Sequence, residues 1–170
     1  MLIHNSWYAI HVRPNCESLS ASSLGEKGYG VFNPTYKQRV LRRKRPVEVD
    51  TPLFKGYIFC RFNQDADSKI LTSLGVRGIV GVAGKPVPIE EREMWSINVI
   101  TCSGVVREPW RHMERGSRVR IESGSLRGVE GTIMSDACSR RLVVAIALLN
   151  RSVAVTLDDN VVLSALHAVS

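Results

Sequence analysis

The side chains that could carry chemistry in this chain fall into four groups: scattered histidines, a short acidic cluster, unpaired cysteines and one dense run of cations. His4, His11, His112 and His167 are far apart and share no metal-ligand spacing. Glu90, Glu91 and Glu93 stand together at the expected start of a helix, where the positive end of the backbone dipole accounts for them. Cys16, Cys60, Cys102 and Cys138 show none of the close pairing that a structural zinc site or redox dithiol needs, so no metal is expected. Gly25-Glu-Lys27 has neither the length nor the Lys-Ser/Thr ending of a phosphate-binding loop. Catalysis needs a converging nucleophile, acid and base, or a metal cluster, and nothing here supplies one. The expectation is a binding protein with no cofactor, not an enzyme.

The cations are the positive signal. Residues 37–45 read Lys-Gln-Arg-Val-Leu-Arg-Arg-Lys-Arg, six basic residues in nine with no acid. Lys37, Arg39, Arg42, Arg43, Lys44 and Arg45 could neutralise phosphates and release their counterions. The same run also suits a solvated, self-repelling loop or hairpin tip. The whole chain carries a net charge of +7 with pI ≈ 9.6, which favours nucleic acid, a nucleoprotein machine or an anionic surface as a neighbour.

Positioning these groups falls to alternating strands and helices. With 170 residues and 44% hydrophobic content the chain can fill one ordinary core or two small ones. Trp7-Tyr8-Ala9-Ile10-His11-Val12 reads as a first strand. Asn15 reads as the N-cap of a serine-rich helix to about Lys27, closed by Gly28. A short strand follows at residues 29–32, then a long one at residues 52–62. Alternation along that long strand places Leu53, Tyr57 and Phe59 on one face and Phe54, Ile58 and Phe62 on the other. Both faces are apolar, so helices cover one and the other is available to a partner. Asp65 or Asp67 can cap a short helix to Leu74, and a third helix spans about Glu90 to Ile100. Residues 101–114 lack periodicity and read as a linker.

From Gly116 onward glycines punctuate short β-branched runs, the pattern of a small all-β barrel that closes its own edges. The fold class expected is α+β: an N-terminal α/β sandwich over residues 1–100, with an antiparallel sheet and flanking helices, then a barrel over residues 115–170. No apolar run approaches the roughly 20 residues that span a bilayer, and the N-terminus lacks the features of a signal peptide. A reduced, cytoplasmic monomer with thiols as core filler is the simplest reading; a disulfide pair is the alternative.

Val119-Arg120-Ile121 with Gly124-Ser-Leu-Arg-Gly128-Val-Glu-Gly131-Thr-Ile resembles the KOW motif carried on SH3-like barrels. Trp7-Tyr8 in the first strand, Pro34, Phe54-Lys55-Gly56-Tyr57, and Gly84-Lys85-Pro86 before Pro88-Ile89 and an acidic helix resemble the N-terminal domain of the NusG family of transcription elongation factors. The short linker and the Tyr8…Arg13-Pro14 opening are similar to its specialised RfaH- and UpxY-like antiterminators.

The resemblance implies docking on the clamp helices of RNA polymerase through Tyr8, His11, Phe54, Tyr57 and Phe59, although such rings also suit a domain core. It implies that Arg13 and the basic run lie along upstream or non-template DNA. It also implies that the KOW barrel recruits a small-subunit ribosomal protein or the Rho termination factor. Lys55 stands where the family usually has proline, Asp67-Ser68-Lys69 replaces a histidine–threonine run of a specialised relative, and Leu74 replaces a basic position. The valine- and isoleucine-rich C-terminal third is expected to hold strands rather than switch to a helical hairpin. A ribosome-associated KOW protein binding RNA through Arg118, Arg120, Arg127, Arg140, Arg141 and Arg151 is the alternative.

Overall fold

The computed structural model describes residues 5–63, 67–110, 116–135, 140–158 and 160–166. The chain divides into two compact units, Met1–Glu91 and Arg92–Ser170. Helices and antiparallel strands alternate in the first, and strands dominate the second.

The first unit runs β1 (Ser6–Val12), α1 (Glu17–Glu26), β2 (Gly30–Phe32), β3 (Thr35–Arg42), β4 (Arg45–Pro52), β5 (Tyr57–Phe62), α2 (Asp67–Leu71), β6 (Val76–Ile79), β7 (Gly81–Val82) and β8 (Lys85–Pro86). Its main sheet has the order β2-β5-β1-β6, every pair antiparallel. Strand alternation sends Tyr8, Ile10 and Val12 of β1 and Ile58, Cys60 and Phe62 of β5 to one face. There they form a core with Leu24 of α1 and Ile70 of α2.

Three expectations change in detail. Asn15 does not cap α1. It takes a left-handed φ of 61° in the turn before the helix, and Cys16 occupies the cap without a side-chain bond. Asparagine tolerates that conformation, so the turn uses it for its backbone. The helix ends at Glu26 with Lys27 as its C-cap, and Gly28 follows at φ 85°, its N–H donating to Gly25 O while Tyr29 N–H donates to Leu24 O. The expected cap Asp65 lies outside the described residues.

The long strand expected at residues 52–62 is broken. Pro52 ends β4, β5 starts at Tyr57, and a turn intervenes in which Tyr57 N–H donates to Phe54 O at 2.9 Å. Gly56 has φ +83°, the value that the third residue of a type II turn requires. The turn resets the alternation, so Phe54 and Phe59 meet edge to face at 5.2 Å between centroids instead of lying on opposite faces.

The basic run takes the hairpin form, one of the two expected of it, but residues 37–42 lie in paired strand. It forms the end of a two-stranded hairpin, β3 with β4, closed by Arg43 and Lys44 at φ 49° and 64°. Two consecutive positive φ values are the signature of a type I′ hairpin turn, normally built with asparagine or glycine.

The second unit holds α3 (Glu91–Cys102, starting at the boundary), β9 (Arg107–Trp110), β10 (Ser117–Ile121), β11 (Glu130–Ser135), β12 (Arg140–Ile146), β13 (Arg151–Leu157) and β14 (Leu163–Ala165). These strands make one antiparallel sheet in the order β14-β10-β11-β12-β13-β9. Within residues 101–114, expected as a linker, β9 pairs with β13. A Cβ at Gly131 would meet the Val143 carbonyl oxygen at 2.5 Å, so the β11–β12 pairing needs glycine there. Val143, Val144, Val153 and Val155 are buried, and the β-branched run expected to form strands does so.

Burial pushes the Cys60 thiol up to about 12 from its ordinary value of 9.0. The folded chain therefore holds this proton more tightly than the unfolded chain between those values, and stability falls as pH rises through that window. The contribution is intact below pH 9 and declines by at most about 1.4 kcal/mol per pH unit above it. Alkylation of the native protein followed by peptide mapping is expected to label exposed Cys102 and spare Cys60 until denaturant is added.

Candidate functional site

The sheet face opposite α1 and α2 gathers most of the aromatic surface. Registered pairing sets Trp7 opposite Arg61, Ala9 opposite Phe59 and His11 opposite Tyr57. Phe59 and Ala9 are fully buried, as is Phe54 from the turn. The His11 and Tyr57 rings stack at 5.4 Å with an interplanar angle of 28°, both partly exposed at the margin. At the other margin Trp7 meets Phe32 edge to face at 6.5 Å, and Phe32 lies 6.3 Å from Phe59. The Arg61 guanidinium stands 5.9 Å above the Trp7 ring and pairs with Glu91 at 3.0 Å.

Of the five aromatic positions singled out by sequence, this face collects His11, Phe54, Tyr57 and Phe59. Tyr8 does not join them. It is one residue out of phase on β1 and packs on Phe62, centroids 4.4 Å apart, in the core under the helices. Phe54 and Phe59 are the packed bed of the face, whereas His11 and Tyr57 are its reachable rim. Trp7 and Phe32 belong to the same aromatic chain and were not among the expected site residues. Trp7 lies two residues from Ala9 on β1 and Phe32 lies directly opposite Phe59, but pairing partners are not readable from one strand.

The turn that presents Tyr57 is fixed from two sides. Glu17, the first residue of α1, is 5% exposed and its Oε1 accepts the Gly56 N–H at 2.8 Å. The Gly56 carbonyl in turn accepts from Val12 N–H at 2.9 Å. A carboxylate at a helix N-terminus is also favoured by the dipole, so the same group serves α1 and the turn. Lys55 occupies the second turn position, exposed, where the resemblance led to an expectation of proline. The positive φ at Gly56 and the Glu17 bond hold the turn without it.

The hairpin sorts its charges by strand register. Lys37 faces Asp50 and pairs with it at 2.9 Å; Arg39 faces Glu48 and pairs at 3.5 Å. Both pairs are exposed and contribute little to stability, but they neutralise the charge of those two cations locally. Arg42, Arg43, Lys44 and Arg45 crowd the tip, exposed, and make no ion pair among the described residues. Arg13, also exposed, follows β1, with its backbone N–H bonded to Gly75 O.

The arginines of the second unit are more committed. Arg120 makes a two-pronged contact with Glu130 at 2.8 and 2.6 Å, and Glu130 also pairs with Arg92. Arg141 pairs with Glu108 and lies 5.4 Å over the Trp110 ring, while Arg140 donates to Val161 O. Arg120, Arg140 and Arg141, three of the six arginines that would make an RNA-binding surface, are thus engaged within the unit, and Arg151 is engaged as well.

Among the described residues no group of three or more His, Cys, Asp or Glu side chains is placed to hold a metal ion, and no helix is long and apolar enough to cross a membrane. An aromatic face, a cation-tipped hairpin and a second, strand-rich unit define a class of protein that acts through contact surfaces. Known proteins narrow the class. The profile of the family described as "Transcription termination factor nusG" matches residues 5–98, more than half of the chain, and the chain belongs to the NusG family. It is 27% identical to the transcription termination/antitermination protein NusG of Thermus thermophilus, across 94% of this chain and 98% of that one. It is 23% identical to the protein of that name from Deinococcus radiodurans, across 89% and 95%. A solved structure described as "Domain interaction in Thermotoga maritima NusG" shares the fold at 23% identity and TM-score 0.56, covering 90% of this chain and 93% of that one.

Three substitutions test the turn. Glu17→Ala is expected to cost about 1.5–3 kcal/mol, the range for a hydrogen bond to a charged group, with Glu17→Gln milder because an acceptor remains. Gly56→Ala is expected to cost about 1–2 kcal/mol through its φ alone. Urea midpoints of the full chain measure all three.

Proposed function

We propose that this chain is a NusG-type elongation and antitermination factor that docks on the clamp helices of RNA polymerase and reduces pausing or termination. The observation that carries the reading is the stacked, part-exposed His11–Tyr57 pair set on a packed bed of Phe54 and Phe59. Rings held rigidly at the rim of an apolar face are the usual source of binding hot spots. Family membership supplies the partner: the chain matches transcription termination/antitermination proteins over nearly its whole length.

In this reading the two units divide the work. The first holds the polymerase, and the second, as a KOW barrel, recruits a small-subunit ribosomal protein or Rho. The mechanism is mechanical, with no covalent step: bridging the polymerase cleft stabilises its closed, productive state. The four tip cations of the hairpin, with Arg13, run beside upstream or non-template DNA, and Lys37 and Arg39 contribute less because acids on β4 already face them. The specialised RfaH- and UpxY-like branch is the finer assignment, on the Tyr8…Arg13-Pro14 opening.

The test is co-purification of the tagged full chain with RNA polymerase, with and without a competing clamp-helix peptide. Tyr57→Ala combined with His11→Ala is expected to lower affinity by about thirtyfold or more, the equivalent of one hot spot, with the circular dichroism spectrum unchanged. Undiminished binding by a folded double variant would remove the proposed surface. Phe59 is unsuited to this test, because deleting a fully buried phenylalanine costs about 3–5 kcal/mol of stability.

The hairpin gives a separate prediction. Changing Arg42, Arg43, Lys44 and Arg45 together to glutamine is expected to lower the salt dependence of DNA-duplex binding by roughly 0.9 for each phosphate that is no longer neutralised. Changing Lys37 and Arg39 is expected to do less per residue. Anisotropy titrations at several salt concentrations separate the two, and equal effects per cation would show that the ion pairs on the hairpin do not matter.

A further inference from the structure

The stretch from α2 to β8 takes no part in the aromatic face or the basic hairpin, yet three of its aliphatic side chains stand in water. Leu71 is 49% exposed, Leu74 60% and Val82 64%. Beside them an open groove of about 460 Å³ is lined by Leu71, Gly78, Ile79, Gly81, Gly84 and Pro86. Half of that lining is glycine, so a ligand there meets bare backbone between aliphatic walls.

The stretch that builds the groove is basic, with Asp67 at the start of α2 its one acid. Residues 68–89 include Lys69, Arg77 and Lys85 and not one aspartate or glutamate. All three cations are exposed, and none makes an ion pair among the described residues. Each is next in sequence, or next but one, to a residue of the groove lining. Isolated exposed leucines need no explanation, but aliphatic groups beside a groove, on a stretch that carries three exposed cations, form a composite surface.

We propose that this groove docks an acidic peptide segment of a partner protein, one aliphatic or aromatic side chain entering between Leu71 and Pro86 while flanking carboxylates meet Lys69, Arg77 and Lys85. The composition selects against nucleic acid as the occupant. Residues 68–89 contain no aromatic side chain on which a base could stack. A phosphate backbone would also leave the exposed aliphatic groups uncovered. An acidic peptide with an apolar anchor satisfies both features, since rim charges steer the encounter and the buried anchor holds it.

The test uses the folded full chain and a panel of short fluorescent peptides with a single leucine or phenylalanine among aspartates and glutamates. Matched peptides with alanine as anchor, or with lysines for the acids, and a single-stranded DNA serve as the other probes. Saturable binding by the acidic, anchored peptides is expected. Lys69→Glu, Arg77→Glu and Lys85→Glu together should weaken it by about tenfold or more and restore binding to the lysine peptides. Leu71→Asp tests the apolar wall independently, and circular dichroism confirms the fold of each variant. No saturable binding across the acidic panel, affinity untouched by either set of changes, or tighter binding of the DNA at the same residues would each overturn the proposal.

Discussion

The hydrogen bond from the Gly56 amide to the Glu17 carboxylate ties the helical side of the first unit to its aromatic side. Glu17 is nearly buried, and a buried carboxylate is costly unless its oxygens are satisfied. The Gly56 N–H meets that need, while Val12 N–H holds the carbonyl of the same residue. Two elements far apart in sequence thus fix one peptide group. The turn must then bend back at Tyr57, and the strand that leaves it starts with a ring stacked on His11.

From that constraint the two faces of the main sheet acquire different tasks. Tyr8, Ile10, Ile58, Cys60 and Phe62 fill the layer under α1 and α2, a role reflected in the raised pKa of the Cys60 thiol. The opposite phase holds Phe59 and Ala9 in the interior and leaves Trp7, His11, Phe32 and Tyr57 at the edges. In the docking proposed above, a packed bed lets the rim rings lose little conformational freedom, which is how a small patch gains affinity. The hairpin follows the same economy of position: cross-strand acids quench the cations along its length, and only the turn carries unpaired charge.

Much of this organisation was legible in the sequence. β1, β10, β12 and β13 fall close to where β-branched runs and glycine spacing place them, α1 lies between the Asn15 and Gly28 that mark its ends, and α3 follows its acidic first turn. The errors came from backbone events that composition hides. Residues 52–62 look like one strand until Gly56 is known to take a positive φ, and that single conformation moves Phe54 to the side of Phe59. The charge run allowed a hairpin tip, but Arg43 and Lys44 are poor I′-turn residues by type, so a loop stayed equally open. Strand pairing was the other hidden quantity. Without the register of β1 on β5, Tyr8 and Tyr57 look like neighbours in one patch, and Trp7 and Phe32 look unrelated.

Site-specific photo-crosslinking from position 57, comparing otherwise native chain with the Glu17→Ala background on RNA polymerase, tests most directly whether the locked turn presents the docking ring. A crosslink to the clamp helices in the native background that falls sharply when Glu17 is removed is the predicted result. Equal crosslinking in both backgrounds, or none to the clamp helices in either, would contradict it.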